Sequence, residues 1–188
     1  NDTTTLNFTA ADVVGPTMVI TSTTSGVSSG AATNDSTINL TFTANEAATG
    51  FVVGDITVTG GSLSSFATVS STVYTATFTP SGAGATTIDV AANKFTDAAG
   101  NNNSAATQFT WTYDNVAPTM AITSTTSGVS SGAATNDSTI NLTFTANEAA
   151  TGFAVGDITV NGGSLSSFTA VSSTVYTATF TPSSAGAT

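Results

Sequence analysis

Apolar and polar residues alternate along much of this chain, which is the pattern of strands with one buried face. Residues 37–44 read Thr-Ile-Asn-Leu-Thr-Phe-Thr-Ala, so every second side chain is apolar. Residues 108–113 alternate in the same way and place Phe109, Trp111 and Tyr113 on one side. Both stretches predict half-buried strands.

Stretches of this kind recur at intervals of roughly 8 to 12 residues, with turn-forming residues between them. No segment has the 3.6-residue period of a helix, and threonine, valine, glycine and serine dominate the composition. The pattern predicts an all-β fold of tandem immunoglobulin-like, seven-stranded β-sandwich domains. The strands expected in the first domain are 17–22, 37–44, 55–59, 63–66, 73–79, 87–91 and 108–113.

A long internal repeat divides the chain. Residues 118–188 repeat residues 16–86 at an offset of 102, and all but six of the 71 paired positions are identical. A period of about a hundred residues fits a domain that buries its own core. The pairs that differ are Val19/Ala121, Val52/Ala154, Thr59/Asn161, Ala67/Thr169, Thr68/Ala170 and Gly82/Ser184.

The repeat predicts three segments. Residues 1–15 are expected to be the last strand and linker of a preceding repeat, because Leu6-Asn-Phe-Thr-Ala resembles the strand that ends the first copy. Residues 16–117 are expected to form a complete repeat. Residues 118–188 are expected to form a second repeat, truncated before its last two strands.

The charge of the chain restricts its partners. It has eleven acidic residues and one lysine, a net charge of −10, with charged residues at only 6%. One cation cannot neutralise a row of phosphates, which excludes nucleic acid and anionic membrane surfaces as partners. No apolar run approaches the ~20 residues of a transmembrane helix, so no membrane insertion is expected in this segment.

The chain has few of the residue types that usually act in catalysis. The chain contains no histidine, cysteine or arginine, and Lys94 is the only base available to a serine or threonine nucleophile. A carboxylate pair for glycoside hydrolysis stays open, but its duplication in each repeat suits a structural role better. The prediction is that the protein is not an enzyme.

Several runs together resemble a known family. They are residues 42–51, 54–61, 74–80 and 97–101, which include Phe-Thr-Ala-Asn-Glu-Ala-Ala-Thr-Gly-Phe and Asp-Ala-Ala-Gly-Asn. Together they are similar to the bacterial immunoglobulin-like tandem repeats of large extracellular adhesins. The resemblance implies an extracellular, cell-surface location and a role in cell adhesion, and several members of such families bind calcium at or near their joints.

The placement of the acidic residues is an independent indication of function. In an immunoglobulin-like path alternate loops lie at the same end of the sandwich, so the second-to-third loop, the sixth-to-seventh loop and the preceding linker should meet. Two carboxylates about 4 Å apart repel by roughly 4 kcal/mol at an effective dielectric of 20, so such a cluster calls for a cation. Calcium fits an all-oxygen ligand set, whereas zinc and copper favour histidine or cysteine. The candidate calcium ligands are Asp12, Glu46, Asp55, Asp97 and Asn101 at the first joint, and Asp114, Glu148 and Asp157 at the second.

Three other residues have structural alternatives. Asp35 could face the second joint or simply cap a turn. Asp89 alternates with apolar neighbours and is expected to face solvent. Trp111 could stack on a ligand but shares its face with other aromatics, so a core position is expected.

The function these features predict is a structural spacer or stalk repeat of an extracellular bacterial adhesin, with linkers rigidified by calcium and neighbouring identical repeats as its partners. The alternative is a subunit of a self-assembling surface filament, in which the tail 1–15 of one molecule adds a strand to the open repeat of the next. A carbohydrate- or protein-binding tip domain is the weakest prediction, because the two copies are nearly identical.

Overall fold

A computed structural model describes residues 10–184 of the chain. Within this range the chain forms twelve strands and two short 3-10 turns. It divides into two compact units between Val116 and Ala117, called unit 1 and unit 2 below. The described residues contain no helix long and apolar enough to span a bilayer.

Unit 1 is built from eight strands in two four-stranded sheets. The first sheet has the order β1-β3-β6-β5 and the second β2-β8-β7-β4. All neighbouring strands are antiparallel except β2 and β8, which run parallel. The strands are β1 Met18–Ser22, β2 Ala31–Thr33, β3 Ile38–Ala44, β4 Ile56–Thr59, β5 Gly61–Thr68, β6 Val73–Pro80, β7 Gly84–Val90 and β8 Phe109–Tyr113.

The core of unit 1 lies between the two sheets and follows from the alternation in the sequence. Along β3 the apolar side chains are buried and the polar ones between them face outward. Across the core, the second sheet contributes apolar side chains from β7 and β8, among them Trp111, which is 1% exposed and lies edge-on to Phe78. The predicted all-β sandwich, and the core position of Trp111, are confirmed.

Unit 1 has one strand more than the seven predicted. After β1 the chain turns at residues 24–30, and Ala31–Thr33 then joins the second sheet beside β8. These three residues have too little alternation to predict a strand; they are held by their neighbour β8. Strand β5 is also longer than the predicted 63–66, because Gly61 already pairs with Pro80 at its start.

Unit 2 is described as a single sheet of order β11-β12-β10-β9. Its strands pair in the same registers as β5, β6, β3 and β1 of unit 1. They are β9 Met120–Ser124, β10 Ile140–Ala146, β11 Gly163–Ala170 and β12 Val175–Pro182. At the offset of 102 the counterpart of β7 begins at residue 186, outside the described residues.

Two segments of unit 2 differ from their copies in unit 1. Residues 133–135 are identical to β2, and residues 158–161 differ from β4 at one position, yet neither segment forms a strand. In unit 1 these strands pair with β8 and β7 respectively. The predicted last strand within residues 1–15 lies largely in residues 1–9, outside the described part of the chain.

Candidate functional site

The linker, defined as residues 12–16, is docked on unit 1 through its backbone. The Asn101 side-chain amide donates to the Asp12 carbonyl (3.1 Å), and the Ser104 N–H donates to the Pro16 carbonyl (3.0 Å). Between these contacts, Gly15 lies so close to the Asn102 carbonyl that a Cβ at position 15 would clash with it. Glycine is therefore required for this close approach.

The loop between β7 and β8 is held by Asn103, which is 2% exposed. Its Oδ1 accepts from the N–H groups of Lys94 (2.6 Å) and Phe95 (3.0 Å). Its Nδ2 donates to the carbonyls of Ala91 (2.9 Å) and Ser104 (2.7 Å). One side chain thus joins both ends of the loop, a role that no sequence pattern distinguished from that of the neighbouring asparagines.

Asp97 lies in the same loop and is 4% exposed. The Asn101 side-chain amide donates to one of its carboxylate oxygens (2.8 Å) and the Asn101 N–H to the other (2.9 Å). The pKa of Asp97 lies below its ordinary value, and the largest cause is the hydrogen bond from the Asn101 side chain. The backbone N–H groups of Asn101, Ala99 and Gly100 lower it further, whereas burial acts in the opposite direction. Asp97 is therefore held in its charged form.

Glu46 comes from the loop between β3 and β4. The preceding Asn45 accepts from the Thr17 N–H (2.7 Å), which fixes the start of this loop beside the linker. Further along, the backbones of Thr49 and Thr96 exchange two hydrogen bonds (2.6 and 3.1 Å). The loop of Glu46 is thereby tied to the loop of Asp97.

The linker and the two loops bring three carboxylates together. Oxygens of Asp12, Glu46 and Asp97 all lie within 4.8 Å of one another, with Asp12 exposed, Glu46 half-buried and Asp97 buried. Lys94, the one cationic side chain of the whole sequence, is exposed. The cluster is thus strongly negative, and carboxylate, amide and carbonyl oxygens are the ligands of a hard cation such as calcium.

Two other predicted ligands have different surroundings. Asp55 is not part of the group of three: it accepts from the Val52 N–H (2.9 Å) and closes a 3-10 turn. Asn101 lies between Asp12 and Asp97, but it contributes its amide N–H groups rather than its oxygen. The sequence predicts Asp55 at the start of a strand at this end of the sandwich; in the structure it ends the 3-10 turn before β4, and its carboxylate caps that turn.

Asp35 and Asp89 in unit 1 have local partners. The Thr33 hydroxyl donates to the carboxylate of Asp35 (2.6 Å). Both oxygens of Asp89 accept from the Gln108 side chain (2.9 and 3.0 Å) on the outer face of the second sheet. Neither belongs to the cluster of carboxylates.

The second predicted set is divided between the units. Asp114, in unit 1, accepts from the Val116 N–H (3.1 Å), as Asp12 does from Val14. In unit 2, Asp157 accepts from the Ala154 N–H (2.9 Å) and repeats the cap of Asp55. Glu148 is distinctive, because its Oε1 is the one buried side-chain polar atom of the described residues without a hydrogen-bond partner.

The two four-stranded sheets of unit 1 define an immunoglobulin-like sandwich module, and the sheet of unit 2 repeats the first of them. The family model of the bacterial Ig-like domain matches residues 12–113 and again residues 114–188, so the chain belongs to this family. Each match begins at a linker aspartate, Asp12 or Asp114. The family is one of non-catalytic structural domains that are typically extracellular or surface-exposed. Comparison with curated proteins and with solved structures gave no significant match.

Proposed function

We propose that this chain is a spacer segment of a bacterial surface adhesin, and that calcium bound between each linker and the domain that follows it stiffens the array. The observation that carries the proposal is the cluster of Asp12, Glu46 and Asp97 within 4.8 Å. Its members come from the linker and from two loops of unit 1. A cation among them would fix the direction in which the linker enters the domain.

The dimensions of the cluster suit calcium. Calcium–oxygen distances are about 2.4 Å, so oxygens on opposite sides of one ion lie about 4.8 Å apart. Three like charges oppose the docking of Asp12 beside the two loops. Calcium would convert this repulsion into attraction, and its removal would release the linker.

Two of the three clustered carboxylates have counterparts in the sequence at the offset of 102. Asp114 and Glu148 correspond to Asp12 and Glu46. A buried carboxylate oxygen without a partner is costly, and Glu148 Oε1 is in that position. We assign Glu148 to calcium binding in unit 2, while Asp55 and Asp157 act as caps of their own 3-10 turns.

Small-angle X-ray scattering tests the stiffening. With calcium the range of bending between the units should narrow and the average dimensions should increase, and EDTA should reverse both changes. The Glu148→Gln variant should no longer respond to calcium, whereas Asp89→Asn, which removes the same charge from the outer face of unit 1, should respond normally. Identical scattering with calcium and with EDTA would refute the stiffening.

The surface location is tested independently. Antibodies raised against the 188-residue chain should label intact cells of the source bacterium as strongly as permeabilised ones. Labelling that requires permeabilisation would contradict the adhesin role.

A further inference from the structure

Unit 1 and unit 2 differ at the position before a shared glycine. Unit 1 has Thr59 followed by Gly60, and unit 2 has Asn161 followed by Gly162. Asn161 is the only asparagine of the sequence that a glycine follows. The backbone nitrogen of the next residue can attack the side-chain carbonyl carbon of an asparagine, and glycine obstructs this attack least because it has no side chain. The difference therefore gives unit 2 a reactive pair that unit 1 lacks.

The turn that carries this pair has the same geometry in both units. Gly60 has a φ of +73° and Gly162 a φ of +72°, so both lie in the left-handed region that favours glycine. Both glycine carbonyls accept a hydrogen bond of 2.9 Å, from the Ser81 N–H in unit 1 and the Ser183 N–H in unit 2. The strand before this turn pairs with β7 in unit 1, whereas residues 158–161 form no strand. The geometry of the turn is therefore independent of that pairing.

Both reacting groups are accessible at this turn. Asn161 and Gly162 are exposed, and within residues 10–184 neither the Asn161 side chain nor the Gly162 N–H makes a hydrogen bond. Other asparagine side chains are held in place. Asn103 makes four hydrogen bonds, and Asn147 accepts from the Thr119 N–H (2.6 Å). The amide of Asn161 is therefore free to turn toward the Gly162 nitrogen.

We propose that Asn161 is a site of spontaneous deamidation. The Gly162 nitrogen forms a bond to the side-chain carbonyl carbon of Asn161, and the bond from that carbon to the amide nitrogen breaks. The released amide nitrogen takes up the proton of the attacking N–H and leaves as ammonia. Water then opens the succinimide ring. Attack of water on the side-chain carbonyl gives aspartate, and attack on the main-chain carbonyl gives isoaspartate.

The two products have different consequences for unit 2. Both add one negative charge, but isoaspartate also inserts a methylene into the backbone directly before Gly163. Gly163 begins β11, where it pairs with Pro182, and a Cβ on it would clash with the Phe180 ring. Because this residue cannot shift freely, isoaspartate should destabilise unit 2 more than aspartate does. Calcium plays no part in the reaction, so a failure of this proposal and a failure of calcium binding are separate results.

Peptide mapping by mass spectrometry tests the proposal on the 188-residue chain incubated in neutral buffer. Chymotryptic cleavage after Phe153 and Phe168 releases residues 154–168, in which Asn161 is the only asparagine. With time this peptide should gain the mass change of an amide converted to an acid, before any other asparagine of the chain is converted. It should also separate into two products, of which the isoaspartyl one accepts a methyl group from a protein isoaspartyl methyltransferase. An unchanged peptide after other asparagines have reacted would overturn the proposal.

Two matched variants test whether the turn is responsible. Asn161→Thr gives unit 2 the residue of unit 1, and both the mass change and the methylation of peptide 154–168 should be lost. Thr59→Asn places the reactive pair in unit 1, where Gly60 is also exposed and its N–H makes no backbone hydrogen bond within the described residues. Peptide 52–66 of this variant should then deamidate as well. Methylation that persists in Asn161→Thr, or an unreactive asparagine at position 59, would contradict the proposal.

Discussion

Replacing Asn103 with alanine removes the side chain that holds the β7–β8 loop and, with it, the position of Asp97. Asn103 makes four hydrogen bonds of 2.6–3.0 Å, two as acceptor and two as donor. Alanine can make none of them. The backbone groups that they satisfy would have to find other partners.

The expected cost follows from those backbone groups. The hydrogen bond of the Phe95 N–H is buried, and leaving such a donor unpaired costs about 1–3 kcal/mol. The bond of the Lys94 N–H is only partly buried, so water can replace part of it. We therefore expect the free energy of unfolding of unit 1 to fall by about 2–4 kcal/mol. For a domain of this size, that lowers the unfolding midpoint by about 8 °C or more.

Differential scanning calorimetry measures this change, with Asn102→Ala as the matched control. Asn102 is the exposed neighbour of Asn103 in the same loop, and its contact to Thr96 is made by the backbone. The control should unfold within about 2 °C of the parent chain. Equal midpoints for the two variants would show that the Asn103 side chain does not hold the loop.

Two further changes test the surroundings of the candidate calcium site. Gly15→Ala should destabilise unit 1 by about 1–3 kcal/mol or release the linker, because the new Cβ meets the Asn102 carbonyl. The control Gly82→Ala has open space around the new Cβ and should leave the stability unchanged. Equal thermal midpoints for the two variants would contradict the close approach at Gly15. Because the pKa of Asp97 is lowered on folding, its contribution to stability should be complete above its ordinary value of 3.8 and be lost as the pH falls through the folded value. The thermal unfolding midpoint, measured in calcium-free buffer from pH 6 to about pH 2, should fall more steeply in the parent chain than in Asp97→Asn. If the midpoints of the two proteins fall in parallel with pH, Asp97 does not make this contribution.

The fold could be predicted where local pattern and burial agree. Along β3 the alternation of the sequence became the alternation of burial, and the repeat extended the prediction to β10. Strand β2 could not be predicted, because three small residues become a strand only through their neighbour β8. Residues 56–59 and 158–161 show the same limit: nearly the same sequence is a strand in unit 1 and not in unit 2.

The candidate site could be predicted as far as topology determines it. Alternate loops of the sandwich meet at one end, which brought Asp12, Glu46 and Asp97 together. Asp55 lies in a neighbouring segment, but its carboxylate caps its own turn. The order of the loops does not predict this local hydrogen bond. The role of Asn103 depends on hydrogen bonds to four backbone groups, and residue spacing in the sequence does not predict such bonds.

The central claim is that calcium binds between the linker and the loops of unit 1. Isothermal titration calorimetry of the 188-residue chain with calcium tests it most directly. The account predicts saturable binding with a Kd between about 1 μM and 1 mM, loss of one site in both Glu46→Gln and Asp97→Asn, and no change in Asp89→Asn. Absence of saturable binding at millimolar calcium, or the same binding by all three variants as by the parent chain, would contradict it.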